Sequence, residues 1–196
     1  MQPDSGFFPT VEEFHALIVP CGALPCFAWL DGTSAGEQAI AELLELLIGK
    51  GVVALNIIPD RNWNITDLAV RRQKVQNLYD IVRLAGELAL PLNIGTEMNS
   101  FGQKLVDDFS APELAPVRQA FLDGAYFIYG LTALQRALGL GYQSEWAQTY
   151  LPSRRERNEF YTKVGYRVQP GRDSLSRLKR LDPRLPPAEI LSALPS

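Results

Sequence analysis

Three short polar clusters in this chain each follow an apolar run. "WLDGTSAGE" brings Asp31, "NIIPDRNWN" brings Asp60, Arg61, Asn62, Trp63 and Asn64, and "GTEMNS" brings Glu97 and Asn99. In parallel α/β folds, sites form where the carboxyl ends of strands meet their loops. If the apolar runs are neighbouring strands, the three clusters share one rim. Carboxylates there suit three kinds of chemistry. They can hold a hard divalent cation through oxygen ligands. Two of them can serve as acid and as nucleophile or base on a glycosidic bond. They can also hydrogen-bond a polyhydroxylated ligand without turning it over.

The residue types suggest a division of labour. Glu97 and Asp60 are the candidate catalytic carboxylates, because glutamate is unfavourable in an ordinary turn and a turn at Asp60 needs no Arg, Trp and two amides beside it. Arg61 would hold an anionic group or orient Asp60. Asn62, Asn64 and Asn99 would hydrogen-bond substrate, Trp63 would form a pocket wall, and Asp31 would be a further substrate contact. If a divalent metal is bound, Asp31, Asp60 and Glu97 are its candidate donors. Simpler roles compete with each: Asp31-Gly32 is a common turn pair, Asp60 can cap a loop, and Asn99 can cap a helix. A run at residues 125–130, "AYFIYG", reads as a further strand, which would add Tyr129, Thr132, Gln135 and Arg136 as weaker candidates.

Other chemistries lack their motifs. "GTSAGE" and "GLGY" match neither a P-loop nor GxGxxG, and no serine sits in GxSxG. His15 is the sole histidine, so a Cys2His2 zinc site is excluded. Cys21 and Cys26 read as buried free thiols rather than a redox pair. The net charge is −3, but residues 151–196 hold 10 bases against 5 acids. That tail reads as a solvated helical face; overall acidity and the lack of a recognition motif speak against nucleic acid. No run approaches the roughly 18 apolar residues of a membrane helix, and the N-terminus has no basic start before an apolar core. The expectation is a cytoplasmic protein with no membrane partner.

Supporting elements follow from periodicity. Thr10 starts a helix whose stripe is Phe14, Leu17 and Ile18. Ser34 with Glu37 forms a capping box, and Thr66 or Asp67 caps a long helix. "GALPCFAWL", "VVALNII", "PLNIGT" and "AYFIYG" read as four strands, and "SAPELAPVRQAFLDG" as a helix between the last two. Alternation of this kind predicts a parallel sheet with helices outside it. The expected fold is α/β, with parallel βα units forming a half-barrel or partial TIM barrel of about four strands over residues 1–150. A basic helical extension, 151–196, would pack on it. A complete eight-fold barrel usually needs about 250 residues.

At "GALPCFAWLDGTSAGE", "ALNIIPDRNWN" and "PLNIGTEMNSFGQKLVDDF" the chain resembles the C-terminal half of TIM-barrel metal-dependent hydrolases of the amidohydrolase or PHP type, over roughly residues 9–150. The resemblance implies a hydrolase-type activity. Such families place clustered histidines after their early strands, and none occurs here. The metal-binding half would then lie outside this segment, or the fold is shared without the activity. Two functions are expected. One is an enzyme with a carboxylate-lined strand-end site for a small polar, carbohydrate-like substrate. The other is a non-catalytic, ligand-binding half-barrel completed by a partner, a second copy (a homo-oligomer) or a missing N-terminal half.

Overall fold

A computed structural model describes residues 6, 8–98 and 105–195. In chain order the elements begin with helix α1 (Val11–Ile18), strand β1 (Cys26–Trp29), and helices α2 (Ala35–Gln38) and α3 (Ile40–Gly49). Strand β2 (Ala54–Ile57), helices α4 (Asp60–Trp63) and α5 (Leu68–Glu87), and strand β3 (Leu92–Ile94) follow. A 3-10 turn (Pro112–Val117) leads into α6 (Arg118–Leu138), α7 (Glu145–Tyr150), α8 (Arg154–Arg167), α9 (Arg172–Leu178) and α10 (Pro187–Ser192). The starts obey local chemistry. Thr10 and Ser34 each form a reciprocal capping box with the glutamate three residues on, and the Asp67 carboxylate accepts from the amides of Ala69 and Val70. Among the described residues no helix is long and apolar enough to cross a membrane.

The strands form a parallel sheet in the order β1-β2-β3, with Ala28, Asn56 and Asn93 in one row. Because side chains alternate across a strand, Phe27, Trp29, Leu55, Ile57, Leu92 and Ile94 share one face. That face meets Leu44 of α3, Leu78 and Ile81 of α5, and Leu114 and Phe121 in the first hydrophobic cluster. The other face is small and polar. Cys26, Ala28 and Asn93 are exposed there, and the Asn93 Nδ2 donates to Asn56 Oδ1 at 2.7 Å. Cys21 and Cys26 are free and exposed, where buried thiols were expected.

The expected fourth strand is not one. "AYFIYG" lies inside α6, a 21-residue helix, so the described residues hold three strands where about four were expected. Its buried positions include Phe121, Gly124, Phe127, Leu131 and Leu134, which recur every three or four residues along one stripe. A six-residue apolar run cannot separate a buried strand from a buried helix segment. Gly124 lets the helix lie on the edge of β3. A Cβ there would stand 2.0 Å from the Leu92 carbonyl oxygen, so α6 occupies the place a fourth strand would take.

A second cluster gathers Phe127, Leu131, Leu134, Tyr142, Phe160, Tyr161, Val164 and Ile190, with Leu24 and Val53 packed against it from the approaches to β1 and β2. It joins α6, α8 and α10. Below the sheet, α5 ends in a Schellman motif: the Leu90 amide donates to the Ala85 carbonyl at 2.8 Å and the Ala89 amide to the Gly86 carbonyl at 3.3 Å. The left-handed residue of that motif is Ala89, at φ 52. An L residue with a Cβ is strained there, so Ala89→Gly should stabilise the protein by about 1 kcal/mol. A urea midpoint that stays level or falls would contradict this.

Candidate functional site

The rim is built where β2 and β3 end. After Ile57 the chain passes through Pro59 directly into the single turn of α4, which carries Asp60, Arg61, Asn62 and Trp63. After β3, the Gly95 amide donates to the Ile57 carbonyl at 2.8 Å, prolonging the β2–β3 register by one bond and delivering Glu97 to the same side. The Arg61 Nη1 donates to Glu97 Oε2 at 2.6 Å, with the two side chains 35% and 21% exposed. This pair links two strand ends that are 36 residues apart in sequence.

The other residues of the second cluster divide by environment. Asn64 is exposed, and its Nδ2 donates to Asp60 Oδ1 at 3.0 Å. Trp63 is half-buried and its indole N–H donates to Asp107 Oδ1 at 2.8 Å. Asn62 is wholly buried. Its Nδ2 donates to the Leu30 carbonyl at 3.0 Å and the Ile58 carbonyl at 3.2 Å, which ties the end of β1 to the end of β2. Asn62 is thus a brace beneath the rim and has no access to a substrate in solution.

Asp31 is drawn away from the others by α5. Lys74 Nζ lies 2.8 Å from its Oδ2, the Thr33 hydroxyl donates to its Oδ1, and Asn77 Nδ2 donates to its backbone carbonyl at 2.9 Å. Burial works against the charged carboxyl, but Lys74 and both Thr33 donors outweigh it and hold Asp31 below the ordinary aspartate range. Asn99 lies outside the described residues. Of the candidates suggested on "AYFIYG", Gln135 serves the fold: its Nε2 donates to the Gly22 carbonyl at 2.9 Å.

Asp107 was not singled out in the sequence. It is 7% exposed, accepts from Trp63 and from the Asp108 amide, and its Oδ2 is buried with no hydrogen-bond partner among the described residues. Burial raises its pKa, and the nearby Asp60 charge pushes the same way. Only the packed loop reveals this residue, because in sequence it is one of two adjacent aspartates in "VDDF".

The sole histidine is a tether. The His15 Nδ1–H donates to the Lys50 carbonyl at 2.8 Å, beside a Lys50–Glu12 ion pair. Among the described residues, no three His, Cys, Asp or Glu side chains are grouped so as to hold a metal ion. The donor set expected for a cation is dispersed: Asp31 faces Lys74, Glu97 faces Arg61, and Asp60 faces Asn64. No family model matches the chain, and neither a curated protein nor a solved structure does.

Proposed function

We propose that the chain is part of a TIM-barrel-like enzyme of hydrolase type, whose rim at the ends of β2 and β3 takes a small, polar, carbohydrate-like substrate. The observation that carries this reading is the partly exposed Arg61–Glu97 pair. A charge pair held between two strand ends presents a carboxylate to solvent on a rigid base. Arg61 spends one Nη1 donor on Glu97, and the rest of its guanidinium fork suits a carboxylate or phosphate on the substrate. Glu97 would act as the proton-transferring carboxylate, with Asp60 and Asn64 as hydrogen-bonding neighbours and Trp63 as the wall. The dispersed donor set does not fit a divalent cation. Its test is a thermal-shift screen with glucose and glucuronate. Glucuronate should raise the melting temperature, and Glu97→Gln should abolish most of that rise. No shift with either sugar, or a shift of full size in the variant, would sink the reading.

The exposed polar face of the sheet favours a second reading, a scaffold completed by another copy. Parallel sheets are ordinarily covered on both faces, yet Cys26, Ala28 and Asn93 face solvent here. A tight dimer in sedimentation would support this reading; a monomer at all concentrations would count against it.

A further inference from the structure

At the opposite end of β3 from the rim lies a cleft of about 420 Å³, within the size range of small-molecule sites. It opens between the end of α5, the start of β3 and the α6–α8 pair. Its floor is apolar: Ala85, Leu90, Leu92 and Phe127 are all buried. Its mouth is polar, formed by α8 and α6. Asn158 sits on one side, with its Nδ2 donating to the Ala89 carbonyl at 2.8 Å. Two acids and two bases also line the mouth. Lys163 lies 3.9 Å from Glu159, and Asp123 accepts from Gln119 at 2.9 Å. Arg155 is the other base, and Asp123, held among the described residues only by a neutral amide, keeps its charge as well. Arg155 makes no ion pair or hydrogen bond among the described residues, and it is exposed, one turn before Asn158 and Glu159 on the same helix.

We propose that this cleft binds a small monocarboxylate with an apolar body, the body on the floor and the carboxylate on Arg155. The assignment follows from complementarity. An apolar floor favours a hydrocarbon or aromatic body, and an unpaired guanidinium beside it favours a planar anion through paired N–H donors. The cleft shares no residue with the strand-end rim.

The probe is 3-phenylpropanoate, with 3-phenylpropan-1-ol as its uncharged counterpart, titrated by calorimetry into the full chain. The acid should bind saturably, and the alcohol about tenfold or more weakly, as expected for loss of a charged hydrogen bond. Arg155→Ala should weaken the acid by a similar factor and leave the alcohol unchanged, with no fall in melting temperature because the side chain is exposed. Gly86→Leu is the second variant. A Cβ at Gly86, which lines the cleft, meets no heavy atom within 4 Å among the described residues, so a larger side chain starts in open space and narrows the site. It should weaken both probes. Absence of saturable binding by the acid, equal binding of acid and alcohol, or undiminished binding in either variant would overturn the proposal.

Discussion

Gly165→Ala should destabilise the protein by about 3 kcal/mol or more, a severe case of overpacking. Here α6 and α8 cross backbone to backbone. A Cβ on Gly165 would stand 1.8 Å from the Tyr126 carbonyl oxygen, and one on Gly130 would stand 2.1 Å from the Tyr161 carbonyl oxygen and 2.5 Å from the Gly165 amide nitrogen. The obstacles are main-chain atoms on both sides, so no side chain can rotate to make room. The helices must separate, and the second cluster opens with them. Phe127 and Tyr161 stand edge to face at 6.1 Å across this crossing, and Tyr126 and Tyr166 at 5.5 Å. For a chain of this size, a loss of about 3 kcal/mol lowers the melting temperature by roughly 6–12 °C. Gly130→Ala should do the same. The double variant should lose less than the sum, because the first methyl already forces the helices apart. Gly86→Ala is the internal control: with open space around its Cβ it should leave the melting temperature level or raise it. If Gly165→Ala melts with the parent, the close crossing is not present in solution.

Asn62→Asp should cost about 4 kcal/mol, in the range for an uncompensated buried charge. The substitution changes almost no volume. It turns a donor that satisfies two carbonyls, Leu30 and Ile58, into an acceptor facing them in a site with no solvent exposure. Asn62→Leu should cost less, about 2 kcal/mol, because it leaves the carbonyls unpaired but adds no charge. Urea denaturation of the two variants and the parent checks the order. Equal stability of Asn62→Asp and Asn62→Leu would refute the brace. A lost brace should also loosen the rim, since α4 carries both Asn62 and Arg61.

These predictions rest on contacts of different legibility. The capping boxes at Thr10 and Ser34 and the cap at Asp67 could be read directly, because capping is settled within about four residues of chain. The three strands could be read too, since each apolar run has a proline at or near one end (Pro25, Pro59, Pro91), which a helix interior would not tolerate. The apolar run at 125–130 could not, because six residues carry too little period to separate a strand from the middle of a long helix.

The same boundary runs through the candidate site. Residue types in "NIIPDRNWN" and "GTEMNS" were enough to mark a polar rim, since acid, base and amides there follow directly on apolar strands. Which side chains meet was decided only by tertiary structure. Arg61 reaches Glu97 because the β2–β3 register and the Gly95 bond put their loops side by side. Asp31 turns from that rim because α5 brings Lys74 and Asn77 against it. Asn62 points inward because two strand-end carbonyls must be paired once buried. Asp107 joins because a distant loop folds its carboxylate under the Trp63 indole. Local sequence determined the caps, the strands and the chemical character of the rim. Partners separated by 30 to 45 residues were decided by packing, because only the folded chain makes them neighbours.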